Sequence, residues 1–317
     1  MSVSAAEAEL QQVPVDKIDH NPENPRLIFR PGELDDLLES IRVYGVQVPI
    51  SVYREGKRFV LIDGERRWKC ALKLNRKAIP ALVQDKPGPL ENLLIMFNIH
   101  ALREQWDLLT IALKLPRIVA LLRDELGRDP TEAHLSERTG LNGGVIRRCK
   151  LLMALPQQYK DQILKELAKP KAQQKFTEDF FIEMERALKT VERSMPEAIP
   201  DKEAVRRILV RKFRAGTISN RVLFRSIAKI ARAENVGFDR NVALAELLKL
   251  FSWNEYTIEE AYDNSVGEAY IERDLNTRVQ KLLEILGDVD IDELDDEARR
   301  NLEALVERIT NVLRETS

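Results

Sequence analysis

Apolar residues recur at helical spacing through most of this chain, with short strand-like runs near its start. Leu34, Leu37, Leu38 and Ile41 fall on one face between about Glu33 and Tyr44, and Gly45 stands where a helix would end. A hairpin is predicted from Ile50 to Arg54, a turn at Glu55-Gly56-Lys57, and Arg58 to Ile62. Ile79 to Val83 predicts another short strand. Between hairpin and strand, Asp63-Gly64 leads into a helix that opens Glu65-Arg66-Arg67-Trp68.

Further on, Pro130 to Arg138 predicts a helix capped by Asp129 or Thr131. Thr139-Gly140-Leu141-Asn142 makes a tight turn, with Gly140 free to take a positive φ. Asn142 caps a second helix through Leu152, and Ala133, Leu135, Leu141, Val145 and Ile146 supply the apolar contacts between the two. This is the helix-turn-helix pattern, whose second helix enters the major groove with its early residues toward the bases. Asn142, Gly143, Arg147, Arg148 and Lys150 are the candidate DNA-contacting residues. An ordinary helical hairpin gives the same local pattern.

The last half reads as helical, from Glu178 to Lys229 and from Ala243 to Leu250. Ala298, Leu302, Leu305, Ile309 and Val312 make a stripe that suits an intramolecular core more often than a dimer seam. Lys169-Pro170-Lys171 and Glu197 to Pro200 are the expected joints.

The net charge of -2 conceals an uneven distribution. Arg206, Arg207, Arg211, Lys212, Arg214, Arg221, Arg225 and Lys229 crowd one region, while Asp288 to Glu297 is acidic. Such asymmetry suits a DNA-contacting protein with a separate acidic module. Two readings of the basic run stand level: a second phosphate-contacting surface and a solvated helix face. Cys70 and Cys149 lack metal-ligand spacing and read as small packed residues. No apolar run is long enough to span a bilayer, and the first residues lack a basic secretory start, so a cytoplasmic, nucleoid- or plasmid-associated protein is expected.

The stretch richest in chemistry is Ile62 to Ala71. Glycine lets a ligand approach the backbone, the first amides of a helix lack partners within it, and the helix dipole favours an anion there. Arg66 and Arg67 add guanidinium groups able to grip phosphate oxygens in pairs. Glu65 is a candidate catalytic base.

Gly64-Glu65-Arg66-Arg67-Trp68, together with Asn21-Pro22…Pro25-Arg26 and Gly45-Val46…Pro49-Ile50, resembles the nucleotide-binding domain of the ParB partition-protein family, a fold shared with sulfiredoxin. The resemblance implies an α+β ParB/sulfiredoxin-like domain over residues 1–100. An all-α helix-turn-helix DNA-binding domain would follow over 101–169, then an all-α C-terminal region over 170–317 for dimerisation or a second DNA contact. It implies CTP with Mg, ATP remaining open, held by Arg26, Gln47, Gly64, Glu65, Arg66, Arg67, Asn98 and Arg103, with Asn98 also a magnesium ligand. Double-stranded DNA, a second copy of the chain and a partition ATPase of the ParA type are the implied partners, and slow CTP hydrolysis the implied activity.

The chain departs from the family pattern in two places. Phe97 replaces the acid that helps hold magnesium, a hard cation wanting oxygen ligands. Val48 stands where Gln is usual, with Gln47 one place early. In sulfiredoxin-like enzymes a cysteine follows the glycine; here Glu65 does, which disfavours that chemistry. A ParB-like regulator or defence-associated protein without nucleotide turnover, and a small-molecule kinase on this fold, are the alternatives.

Overall fold

The computed structural model describes residues 8–24, 32–101, 107–288 and 295–315. The chain divides into two compact units, Met1–Arg186 and Ala187–Ser317.

The first unit begins with β1 (Glu9–Pro14) and β2 (Ile18–Asp19), then α1 (Gly32–Tyr44). The hairpin β3 (Ile50–Glu55) and β4 (Arg58–Asp63) turns at Gly56, whose φ is +59°. Then come α2 (Glu65–Lys73), β5 (Ala78–Gln84) and α3 (Pro89–Ala101). The strands form one mixed sheet in the order β1-β5-β3-β4-β2. β1 runs antiparallel to β5 and β3 to β4, whereas β3 pairs parallel with β5 and β2 parallel with β4. Val13, Val15, Ile50, Val52, Leu61, Ile79 and Ala81 form the core with Ala71 of α2, and Trp68 packs against it. Trp68 also donates its indole N–H to the carbonyl of Val15 at 3.2 Å, satisfying the polar end of a largely apolar side chain. This contact fixes how α2 lies on the sheet, and so where Arg66 and Arg67 stand.

The helices after α3 are α4 (Leu108–Leu126), α5 (Glu132–Thr139), α6 (Gly143–Met153) and α7 (Gln157–Leu167), followed by α8 (Glu178–Ser194). Leu109, Leu115, Leu135, Leu141, Ile146 and Leu152 are buried as a helical core. Val145 is only half-buried and Ala133 is exposed, so the contact between α5 and α6 is narrower than the apolar spacing suggests. Cys70 and Cys149 are both buried; loss of solvent pushes the Cys70 thiol up and the Cys149 thiol up to about 12. Both are packing residues, as the sequence indicates.

The second unit holds α9 (Lys202–Ala215), α10 (Phe224–Ile230), α11 (Arg240–Leu250), α12 (Ile258–Asp263), α13 (Gly267–Asp288) and α14 (Asp296–Glu315). Leu209, Phe224, Ile227, Leu247 and Ile258 are its buried centre. Two residues of the basic run lie inside it: Arg206 is buried beside Glu203, and Lys212, 1% exposed, donates to the carbonyl of Tyr256. That part of the run is structural and not a surface. The α14 stripe differs from expectation in the other direction, since Leu305, Ile309 and Val312 are exposed rather than packed in a core. No helix among the described residues is long and apolar enough to cross a membrane.

Candidate functional site

Gly64 closes β4 and caps α2 with φ +96° and ψ 24°, a left-handed conformation that costs any other L-residue about 1 kcal/mol or more. A β-carbon at this place would also stand 2.5 Å from Cγ2 of Ile50, inside its van der Waals surface. Gly64 provides no side-chain acceptor for the first amides of α2, so that helix end presents donors without a built-in cap.

The adjacent arginines differ in what they do. Arg67 is committed to the framework: Nη1 donates to the carbonyls of Val48 at 2.7 Å and Pro49 at 2.5 Å, and Nη2 to Asp63 Oδ2 at 3.0 Å. It fastens the loop before β3 to the start of α2. Arg66 is half-buried on the same first turn. Glu65, only 8% exposed, is a hub. Its Oε2 accepts from Asn24 Nδ2 at 2.6 Å, and its Oε1 lies 2.9 Å from Lys69 Nζ and 3.2 Å from His20 Nδ1. The Asn21-Pro22 segment is fixed by the same logic. Asn21 is buried, donates to Asn92 Oδ1 at 3.2 Å and accepts from the Glu23 amide at 3.0 Å. Sequence reasoning passed over His20; its one signal was its place directly before Asn21-Pro22.

Gln47 is exposed and donates to the Tyr44 carbonyl at the end of α1. Val48 is exposed beside it. Arg26 and Arg103 lie outside the described residues. Asn98, on α3, is exposed; its amide donates to Leu94 O at 3.0 Å, and its Oδ1 faces Gly140. Phe97 is 0% exposed, packed in the core. Among the described residues no group of His, Cys, Asp and Glu is arranged to hold a metal ion. The uncapped helix end and its arginines make a donor set that suits an anion such as phosphate.

In the α5–α6 pair, Thr131 accepts from the His134 amide at 3.2 Å and Asn142 from the Val145 amide at 2.9 Å, capping the two helices. Gly140 between them has φ +73°. Arg147 and Lys150 are exposed on α6 and meet on Glu132 of α5, at 3.2 and 3.1 Å. Together they hold the Glu132 carboxyl below its ordinary range, Lys150 being the larger influence. Arg148 points elsewhere and pairs with Asp179 at 2.5 Å. Gly143 lies under the guanidinium of Arg147, where a β-carbon would come 3.2 Å from Nη1.

Residues 1–95 match the family model of the ParB N-terminal domain. Over these residues the chain carries a ParB N-terminal domain. Among curated relatives, the nucleoid occlusion protein of Bacillus licheniformis is 30% identical over 162 residues, covering 50% of this chain and 54% of that protein. The nucleoid occlusion protein of Geobacillus kaustophilus is 29% identical over 158 residues, covering 49% and 53%. The chain thus spans about half the length of the curated relatives it matches. Among solved structures, the C-terminally truncated chromosome-partitioning protein ParB from Caulobacter crescentus, complexed with CTP-gamma-S, is 25% identical. It covers 52% of this chain and 90% of its own, with a TM-score of 0.29, too loose a superposition to place any residue of the site.

Proposed function

We propose that this chain, with its ParB N-terminal domain, is a ParB-like nucleotide-responsive DNA-binding protein, working in plasmid or chromosome partition or a related DNA-clamp role. The observation that carries the nucleotide reading is the left-handed, uncapped glycine at the head of α2, with Arg66 and Arg67 on its first turn. A triphosphate tail would lie against those amides, with Gly64 allowing close approach, Arg66 gripping oxygens and Arg67 holding the loop that shapes the cradle. The family resemblance makes CTP the expected nucleotide, with ATP as the competitor. Phe97 offers no oxygen ligand, so any magnesium would be held by the nucleotide's own phosphates with Asn98 as the proposed protein ligand.

Double-stranded DNA is the partner of α6, supported by the two capped helices and the exposed cations Arg147 and Lys150. A homodimer would suit a two-fold DNA site, and the uncovered stripe of α14 is the surface a second copy would take. A ParA-type ATPase remains the partner that partition itself would require. Binding that differs with nucleotide requires the nucleotide to prefer one conformation of the protein over another.

Calorimetric titration of CTP, ATP, GTP and UTP into the full chain, with and without duplex DNA, is the test. Heat with CTP, and an affinity that changes when DNA is present, are the expected results. No heat with any nucleotide would remove the cradle; duplex binding indifferent to nucleotide would leave an operator-binding regulator instead.

A further inference from the structure

The carboxylate that sequence marks as a base is not placed to serve as one. Glu65 is buried, and its oxygens already face Asn24, Lys69 and His20. The group of this cluster that solvent reaches is the imidazole, with the His20 side chain 49% exposed against 7% for Glu65. We propose that His20, oriented by Glu65, is the general base for hydrolysis of a nucleoside triphosphate whose phosphates lie at the start of α2. This rests on the nucleotide reading above.

His20 Nδ1 lies 3.2 Å from Glu65 Oε1, which leaves Nε2 on the far side of the ring from that carboxylate. A base held by a third group in this way is the working arrangement of hydrolytic sites on many unrelated folds. Glu65 follows Gly64 directly and is the first residue of α2, and the imidazole 3.2 Å from its carboxylate is thereby brought beside the first turn of that helix. Asn24 and Lys69 are also bonded to Glu65, which keeps the carboxylate from following the ring. In the step, Nε2 takes a proton from water as its oxygen bonds to the γ-phosphorus. The bond from that phosphorus to the β-bridging oxygen breaks, and its electron pair leaves on the nucleoside diphosphate. Inorganic phosphate is the second product, and the imidazolium returns its proton to solvent. No oxidant, reductant or further reactant enters.

The first measurement reads the imidazole without turnover. The chain has three histidines. Diethyl pyrocarbonate labelling followed by peptide mass spectrometry should modify His20 in the free protein and lose that modification when CTP is added. Labelling of His20 unchanged by bound CTP would overturn the proposal. The second compares His20→Gln and His20→Gly with the unaltered chain, taking nucleotide affinity by calorimetry and phosphate release separately. Release should fall about a hundredfold while affinity holds within about twofold, and free imidazole should restore release in His20→Gly. Glutamine at 20 keeps a donor for Glu65, so loss in that variant cannot be ascribed to a collapsed cluster. Unaltered chain that binds CTP but releases no phosphate, or His20→Gln that releases it at full rate, sinks the base and leaves the nucleotide reading standing. Failure of the unaltered chain to bind CTP or ATP at all sinks both.

Discussion

Asn98 near the end of α3 lies against Gly140 in the turn between α5 and α6, so close that a β-carbon at 140 would come within 2.8 Å of Asn98 Oδ1. Asn98 therefore touches the turn that sets the angle between α5 and α6. Gly140→Ala meets two penalties, the left-handed φ and the collision. It should lower stability by about 2 kcal/mol, the φ alone accounting for about 1 kcal/mol or more. Removing the obstacle in Asn98→Ala/Gly140→Ala should recover the collision part but not the backbone part. Urea unfolding of the single and double variants measures this; strict additivity would show that the two residues do not meet.

The neighbouring arginines of α2 should separate in their effects. Arg67→Ala removes bonds to the Val48 and Pro49 carbonyls and to Asp63, and should cost about 2 kcal/mol of stability along with nucleotide affinity. Lysine at 67 cannot span those acceptors with one point charge and should rescue little. Arg66→Ala should reduce CTP affinity at least about tenfold, which is roughly 1.4 kcal/mol, with a smaller shift in melting temperature than Arg67→Ala. Equal affinity in Arg66→Ala and the unaltered chain would move the phosphates elsewhere.

Glu132 of α5 holds both exposed cations of α6. Glu132→Gln should release them and tighten binding to duplex. The double variant Arg147→Ala/Lys150→Ala should weaken it and reduce the slope of log affinity against log salt by about 2. Arg148→Ala should change that slope less, because its guanidinium is engaged by Asp179. Fluorescence anisotropy across a salt series distinguishes these outcomes.

Lys212 gives the second unit a pH signature. Burial pushes its amine down to about 8, with Glu260 and Glu255 opposing that shift and Arg211 adding to it. A lysine in the unfolded chain titrates near 10.4. Between these values the unfolded chain holds more protons than the folded one, so stability should rise as pH climbs from about 8 toward about 10. The full effect is on the order of 3 kcal/mol. Lys212→Met cannot titrate, so the difference between it and the unaltered chain should vary across this window. A difference independent of pH would place the amine in water.

Several elements could be read from residue order because their cause is local. Gly45, Gly56 and Gly140 each take the positive φ that their turns demand, and Thr131 and Asn142 cap the helices they precede. Strand β1 escaped because its pairing with β5 joins residues about seventy apart, as Val13 with Ile79. No short-range pattern marks such a contact. The candidate site was legible in its backbone and less so in its side chains. Glycine with twin arginines announces an anion-binding helix end, but nothing in that string says that Arg67 will be spent on two carbonyls. Nor does it say that His20, forty-five residues earlier, will lie beside Glu65. In the basic run, likewise, counting charges does not show that Lys212 turns inward to a carbonyl.

Phe97 carries a last consequence. Its ring is wholly enclosed, so the helical phase of α3 aims this position at the interior. Writing glutamate there would drown a charge in hydrocarbon, and a carboxylate so placed would be forced to keep its proton. Regaining a metal-holding acid would thus require α3 to rotate about its own axis, which one codon cannot achieve.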